Sequence, residues 1–212
     1  MPITQRHRTI RAAKPVVALT FDDGPSIYTS QILDTLQQYG GHVSFFVTGS
    51  KVEEGKSKIF RAIQMECEVI CHAWNHPDFT ELSRRAIKKE IVNTIIAIAK
   101  VTGTASPMFR PPYGHINKRV ERLAKNLGLA IINWSLSPED WKIQDAENIY
   151  SHIISNLKDG DIVLCHDVYE TTATAMSRLI PELISRNYEL VTVTELLTRK
   201  YGKIEPGRIY LN

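Results

Sequence analysis

No apolar run in this 212-residue chain approaches the roughly 20 residues needed to cross a bilayer, so the sequence contains no membrane-spanning helix. Residues Met1 to Lys14 are polar and lack the apolar core of a secretory signal. Either the protein is made without export, or the chain is a fragment whose targeting segment was removed. Cysteine is scarce: Cys67, Cys71 and Cys165 are odd in number, which argues against a disulfide framework and leaves at least one thiol unpaired within the chain. They read as buried, reduced residues acting as small apolar groups. Their closeness to His72 and His166 keeps a redox or metal role as the minor alternative. A dominant basic stripe is also missing. The formal charge is only +3, the densest groups being Arg6-His7-Arg8 and Arg84-Arg85 with Lys88-Lys89, a tail and a solvated helix face, so no nucleic-acid partner is expected. No Gly-rich phosphate loop follows the first apolar run, which weakens a nucleotide-binding reading. Internal repeats, low-complexity segments and linkers are absent, and one domain suffices.

What is present is an alternation. With 43% apolar residues the chain can bury a substantial core. Apolar runs bounded by turn residues alternate with amphipathic stretches from residue 15 to about residue 198, a β/α rhythm. Strands are predicted at Val16–Phe21, His42–Thr48, Glu68–His72, Met108–Arg110, Leu129–Leu136, Asp161–His166 and Glu189–Val193. Helices are predicted at 29–39, 56–65, 84–101, 117–127, 145–157 and 174–186, with Ser83 and Asn117 as opening caps and Gly40 and Gly128 just past helix ends. The expected layout is an N-terminal extension over 1–13, one catalytic domain over 14–200 and a C-terminal tail over 201–212. Asp22 and Asp23, His72, Arg110, Asp140 and His166 each fall at or just beyond the carboxyl end of a predicted strand. Barrel enzymes build their active sites from several such ends, whereas an open sheet uses mainly one switch point. The expectation is therefore an α/β fold, an incomplete (β/α) barrel of about seven parallel strands.

The candidate chemistry sits in short motifs. Thr20-Phe21-Asp22-Asp23-Gly24-Pro25 puts two carboxylates where a strand stops and a turn begins, so that they can take separate jobs such as base and metal ligand. His72 and His76 are four apart, a spacing that lets both imidazoles face one centre. Alone the pair reads as two loop histidines; with Asp23 it becomes a three-ligand set with an open position, as in catalytic sites for zinc and similar divalent metals. Arg110-Pro111-Pro112-Tyr113-Gly114 is a Pro-fixed turn that by itself would be structural. In a site it could aim an N–H at an oxyanion and a guanidinium at a carboxylate. Asp140-Trp141 could be an aromatic anchor with a capping acid, and His166 a satisfied structural histidine; at a barrel mouth His166 is placed as general acid or base.

Taken in order, Thr20-Phe21-Asp22-Asp23-Gly24-Pro25, His72-x-x-x-His76, Arg110-Pro111-Pro112-Tyr113, Asp140-Trp141 and Leu164-x-His166 resemble the five motifs of the polysaccharide deacetylases, carbohydrate esterase family 4. The resemblance spans about residues 15–198. It implies a distorted, incomplete (β/α) barrel and a divalent-metal deacetylase of acetylated glycans. It assigns Asp22 as general base, Asp23, His72 and His76 as metal ligands, and Arg110 as the group that holds and tunes Asp22. The Tyr113 N–H would help bind the oxyanion, Asp140 would orient the general acid His166, and Pro111, Tyr113, Trp141 and Leu164 would meet the substrate, Trp141 and Leu164 as apolar walls of the acetyl pocket. The implied cofactor is one divalent ion, zinc first, with cobalt, nickel or manganese as alternatives. Departures from the family pattern are Cys71 for a polar residue, Ala73 for a hydroxyl residue and Ser137 for an aspartate, all next to the site rather than in it.

The expected activity is N-deacetylation of N-acetylglucosamine units in peptidoglycan or chitin-like glycans. The alternatives are an acetylxylan esterase and a non-catalytic glycan-binding homologue. A glycan substrate points to work outside the cytoplasm or at the cell wall; the missing signal segment leaves a cytoplasmic location open.

Overall fold

The structure, a computed structural model, describes residues 14–212. The expected extension over 1–13, with its Arg6-His7-Arg8 cluster, lies outside the described residues. In chain order the elements are β1 (Val16–Asp22), α1 (Ile27–Tyr39), β2 (Ser44–Thr48), α2 (Lys56–Gln64), β3 (Glu68–Ala73), α3 (Arg84–Thr102), β4 (Met108–Phe109), α4 (Lys118–Leu127), β5 (Ala130–Ile132), α5 (Ala146–Asn156), β6 (Asp161–His166), α6 (Glu170–Ser185), β7 (Glu189–Leu190), α7 (Val193–Tyr201) and β8 (Ile209–Tyr210). Local chemistry fixes several ends. Ser26 and Thr192 close capping boxes on α1 and α7, Asn117 and Asp145 accept backbone N–H groups at the starts of α4 and α5, and Gly103 and Gly128 end α3 and α4 in the left-handed conformation.

Every strand pairing is parallel, in the order β6-β1-β2-β3-β4-β5-β8, with β7 paired to β1. The sheet curls into an incomplete (β/α) barrel. Beyond β5 the chain swings back, and an isolated parallel bridge joins Leu136 to Val163 of β6. Leu136 accepts the Leu164 N–H (2.9 Å) and the Ile162 carbonyl accepts the Ser135 N–H (3.0 Å). The gap between β5 and β6 is thus spanned by a loop rather than by a full strand.

The two faces of the sheet divide by the period of two along each strand. Val17, Leu19 and Phe21, with Phe45, Val69, Cys71 and Phe109, face outward and pack against the helices in the larger apolar cluster. Ala18, Phe46, Ile70, Met108, Ala130, Ile132 and Ile162 fill the concave side, with Val193, Leu196 and Leu197 of α7 among them. Helix α7 bonds to the amino ends of two strands, Val193 N–H to Ser44 Oγ (2.9 Å) and Thr194 Oγ1 to Glu68 Oε1 (2.6 Å), so it stops that end of the barrel. The carboxyl end stays open.

Two departures from expectation matter. Residues 201–212, expected to be a tail, contribute β8, whose Tyr210 is 2% exposed and which pairs with β5. The strand expected over Glu189–Val193 stops at Leu190, because the capping box of Thr192 and Glu195 starts α7. Among the described residues no helix is long and apolar enough to cross a membrane. The three cysteines are buried thiols, and burial pushes Cys67 up to about 11.

Candidate active site

The same period of two that builds the barrel interior delivers the polar groups. Inward positions run Ala18, Thr20, Asp22 on β1; Ile70, His72 on β3; Met108, Arg110 at the end of β4; and Ile162, Leu164, His166 on β6. Each series is apolar at depth and polar at the open end. The cavity there, of about 580 Å³, is lined by Asp22, Asp23, His72, His76, Tyr113, His115, Trp134, Ser137, Glu139, Trp141, Leu164, His166 and Tyr169.

Arg110 is wholly buried behind this lining. Its Nη1 donates to Asp22 Oδ1 (2.6 Å) and Thr20 Oγ1 (2.9 Å), Nε to the Ile132 carbonyl (3.2 Å) and Nη2 to the Asn133 carbonyl (3.0 Å). The guanidinium also lies over the Phe46 ring, 3.9 Å from its centroid. Burial raises the Asp22 carboxyl above its ordinary range, and the Arg110 charge works against that rise. Arg110 thus occupies one carboxylate oxygen; the other, Oδ2, lies 3.7 Å from His72 Nε2.

Asp23, His72 and His76 converge. Their ligand atoms all lie within 4.8 Å of one another, with Asp23 Oδ1 3.5 Å from His72 Nε2 and 3.4 Å from His76 Nε2. Two observations test whether this set fits a cation. Asp23 Oδ1 is buried without a hydrogen-bond partner, a costly state for a carboxylate oxygen unless something positive meets it. His72 Nδ1 is bonded to the Arg110 carbonyl (2.9 Å), which fixes the tautomer with the Nε2 lone pair toward Asp23. Burial, only partly offset by Asp23, lowers the His72 pKa to about 3, so the ring is the neutral imidazole that a metal ligand must be. The donor set fits a divalent cation.

Backbone strain concentrates here. Among the described residues six non-glycine residues have left-handed φ, and four of them, Asp23 (73°), His76 (60°), Tyr113 (59°) and Glu139 (53°), line the cavity. The Asp23 turn is over-determined: its N–H donates to the Phe46 carbonyl (3.2 Å), and Lys51 Nζ donates to its carbonyl (2.9 Å). Gly24 has no room for a side chain, since a Cβ would stand 2.3 Å from both carboxylate oxygens of Asp167. Asp167 in turn accepts the Thr29 hydroxyl, and burial raises its pKa to about 7 against that bond.

On the opposite wall, His166 Nδ1 is 2.8 Å from Asp140 Oδ1, and the His166 N–H donates to Asp140 Oδ2 (2.7 Å). Thr172 Oγ1 donates to the same Oδ2 (2.7 Å) and the Trp141 N–H to Oδ1 (3.1 Å). Burial alone would lower the His166 pKa. The hydrogen bond and charge of Asp140, with Asp22 and Asp23 beyond, outweigh it and raise the pKa to about 9.

The sequence-predicted residues therefore gather at one cavity, Arg110 and Asp140 buried behind the side chains they hold, and Pro111 apart from it. Pro111 is buried and does not line it; its carbonyl accepts the Gly114 N–H (3.0 Å), which places it in the turn. Sequence reasoning missed Thr20 and Thr172, which hold Arg110 and Asp140, and the lining residues His115, Trp134, Glu139 and Tyr169. Thr20 carried a signal, a hydroxyl two residues before Asp22 and so on the same strand face. Thr172 carried none, because only the packing of α6 on the strand-end loops brings it to Asp140. Cys71 points away from Asp23, His72 and His76, its Sγ 3.7 Å from the Ile91 carbonyl, as alternation from His72 requires.

The site is the mouth of an open (β/α) barrel, with an arginine-held carboxylate and an aspartate-held imidazole facing one cavity. The chain belongs to the polysaccharide deacetylase family, whose family model matches residues 9–132. It is 38% identical over 192 residues to the peptidoglycan-N-acetylmuramic acid deacetylase of Bacillus subtilis, covering 90% of this chain and 40% of that protein. It therefore spans well under half the length of that relative. It is 35% identical over 193 residues to a peptidoglycan-N-acetylglucosamine deacetylase of Bacillus cereus, covering 88% of this chain and 90% of the relative. The solved family 4 acetyl xylan esterase from Clostridium thermocellum, in complex with a cobalt ion, superposes with a TM-score of 0.85 at 34% identity, covering 92% of this chain and 97% of the other.

Proposed function

We propose that this protein hydrolyses N-acetyl groups from an acetylated glycan, with amino sugars of peptidoglycan or a chitin-like polymer as substrates and a divalent ion held by Asp23, His72 and His76. The observation that carries the reading is the opposite preparation of two proton-transfer groups across one cavity. Asp22 keeps one oxygen on Arg110 and leaves the other toward the ligand cluster, while Asp140 keeps His166 charged at neutral pH. A divalent ion held by Asp23, His72 and His76 would act as a Lewis acid toward the acetyl carbonyl.

The remaining steps belong to the chain. Asp22 takes the proton of the attacking water; its raised pKa makes it a stronger base than an exposed aspartate, and Arg110 still favours its ionised form. Tyr113, at a left-handed turn in the cavity wall, would offer its N–H to the developing oxyanion, a contribution of about 3 kcal/mol for a well-aimed donor. His166 gives its proton to the leaving nitrogen. An amine is a poor leaving group unless protonated, which is why an amide hydrolase needs this acid opposite its base. Leu164 and Trp141 flank the acetyl group, and the half-exposed rings of Tyr113 and Trp141 offer apolar faces to sugar rings.

Both peptidoglycan relatives favour a peptidoglycan substrate, and their names divide between N-acetylmuramic acid and N-acetylglucosamine, so both units belong in the test. Acetate release is measured from peptidoglycan, chitooligosaccharides and acetylxylan, with and without chelator. The expected result is release from the amino-sugar glycans, abolished by chelator and restored by added metal. Asp22→Asn should lose at least a hundredfold in kcat while keeping metal affinity, and His72→Ala should lose both. Release from acetylxylan alone would move the activity to O-deacetylation, and full turnover by Asp22→Asn would overturn the base assignment.

A further inference from the structure

The loop between the two histidine ligands is held from outside the cluster. On α3, Glu90 Oε2 accepts the backbone N–H groups of both Trp74 (3.0 Å) and Asn75 (2.8 Å). These are the amides of the two residues immediately before His76, whose own φ of 60° turns the chain so that Nε2 comes within 3.4 Å of Asp23 Oδ1. The other side of the loop is fixed as well: the Ser50 N–H donates to the Trp74 carbonyl (3.1 Å), and a Cβ on Gly49 would stand 2.5 Å from Trp74 Cε3. Ala73 and Pro77, at the ends of the segment, have no polar side-chain atom. Among the described residues no other side chain hydrogen-bonds to the backbone of residues 73–76.

We infer that Glu90 is a positioning residue for the ligand His76: its carboxylate clamps two consecutive amides and thereby holds the left-handed turn that aims the imidazole at Asp23 and His72. Two N–H groups on one anionic oxygen are charge-assisted bonds, the strong class, and they order the loop before any cation arrives. Without them the turn at His76 keeps only the Ser50–Trp74 bond and the packing of Trp74 on Gly49 against its steric cost. His72 needs no such clamp, since it stands on β3 with its Nδ1 on Arg110. The inference rests on Asp23, His72 and His76 being the metal set.

The test uses Glu90→Ala, Glu90→Asp and Glu90→Gln in the full chain, with two readouts. Zinc affinity is measured by competition with a chromophoric chelator, and amide hydrogen exchange of Trp74 and Asn75 is followed in metal-free protein. Loss of an outer partner of a ligand typically costs 10–100-fold in metal affinity, so Glu90→Ala should fall in that range. Glu90→Asp, with its oxygens drawn back by one methylene, should lose about tenfold. Glu90→Gln, whose amide oxygen can replace Oε2, should keep most of the affinity, and exchange at both amides should quicken in the order Gln, Asp, Ala. If Glu90→Ala does not fold, the Asp and Gln variants decide. Wild-type affinity and protection in Glu90→Ala, or in Glu90→Asp where the alanine variant does not fold, overturn the clamp. If wild-type protein binds no zinc, the metal reading fails, while the exchange data still decide whether Glu90 orders the loop.

Discussion

Asp140 shows how much one buried side chain can set. It has no solvent exposure and accepts four hydrogen bonds, two of them from His166. The charge it lends keeps His166 protonated to about pH 9, above the ordinary imidazole value near 6.5. Asp140→Asn removes that charge while preserving much of the shape. The expected outcome is a loss of 10²–10⁴ in kcat/KM at pH 8, with the basic limb of the pH–rate profile moving down from about 9 and zinc affinity unchanged. The same pair has a stability consequence of definite sign. Because the folded pKa is raised, the stabilisation is fully present below about pH 6.5 and is lost as pH rises through about 9. Thermal unfolding at pH 6 and pH 10 should therefore separate wild type from Asp140→Asn at the lower pH and bring them together at the higher. An unmoved basic limb would show that some other group supplies the proton.

At the level of elements, the long inward-alternating strands were legible. β1, β3 and β6 each carry several residues of alternation, so Asp22, His72 and His166 fall at strand ends on sequence alone. The short ones were not. β8 has two residues, too few to display a period, and β7 runs directly into α7. The capping box of Thr192 and Glu195 starts α7 inside the span expected as strand. This matters for function because β8 supports the site at one remove. The Asn133 N–H donates to the Tyr210 carbonyl (2.8 Å) and the Ile131 N–H to the Arg208 carbonyl (2.9 Å), while the Ile132 and Asn133 carbonyls receive the Arg110 guanidinium. Tyr210 is 2% exposed and its hydroxyl accepts the Glu205 N–H (2.9 Å). Tyr210→Ala should cost about 3–5 kcal/mol, the range for emptying a buried aromatic site, read as a lowered urea midpoint with little change in slope. A loss below about 1 kcal/mol would mean that β8 frays without consequence for the barrel.

For the whole molecule, the distribution of stability follows from how the barrel is closed. α7 stops the amino end with apolar side chains, whereas at the carboxyl end the gap between β5 and β6 is crossed by one bridge and the space is given to charged groups. Asp22 and Asp23 lie side by side, and only Asp22 has a permanent cation against it; Asp23 Oδ1 has no hydrogen-bond partner. A divalent ion bound by Asp23, His72 and His76 would neutralise this charge and tie β1 to β3, so the folded state should gain from it what the unfolded chain cannot. At a free metal concentration 100-fold above Kd that gain is about 2.7 kcal/mol. For a domain of this size each kcal/mol moves Tm by about 2–4 °C, so chelator should lower Tm by about 5–10 °C and zinc should restore it. Asp22→Asn, which keeps the three ligands, should retain the shift; His72→Ala and His76→Ala should lose it. A shift that persisted in both histidine variants would place the stabilising ion elsewhere and remove Asp23 from the metal site.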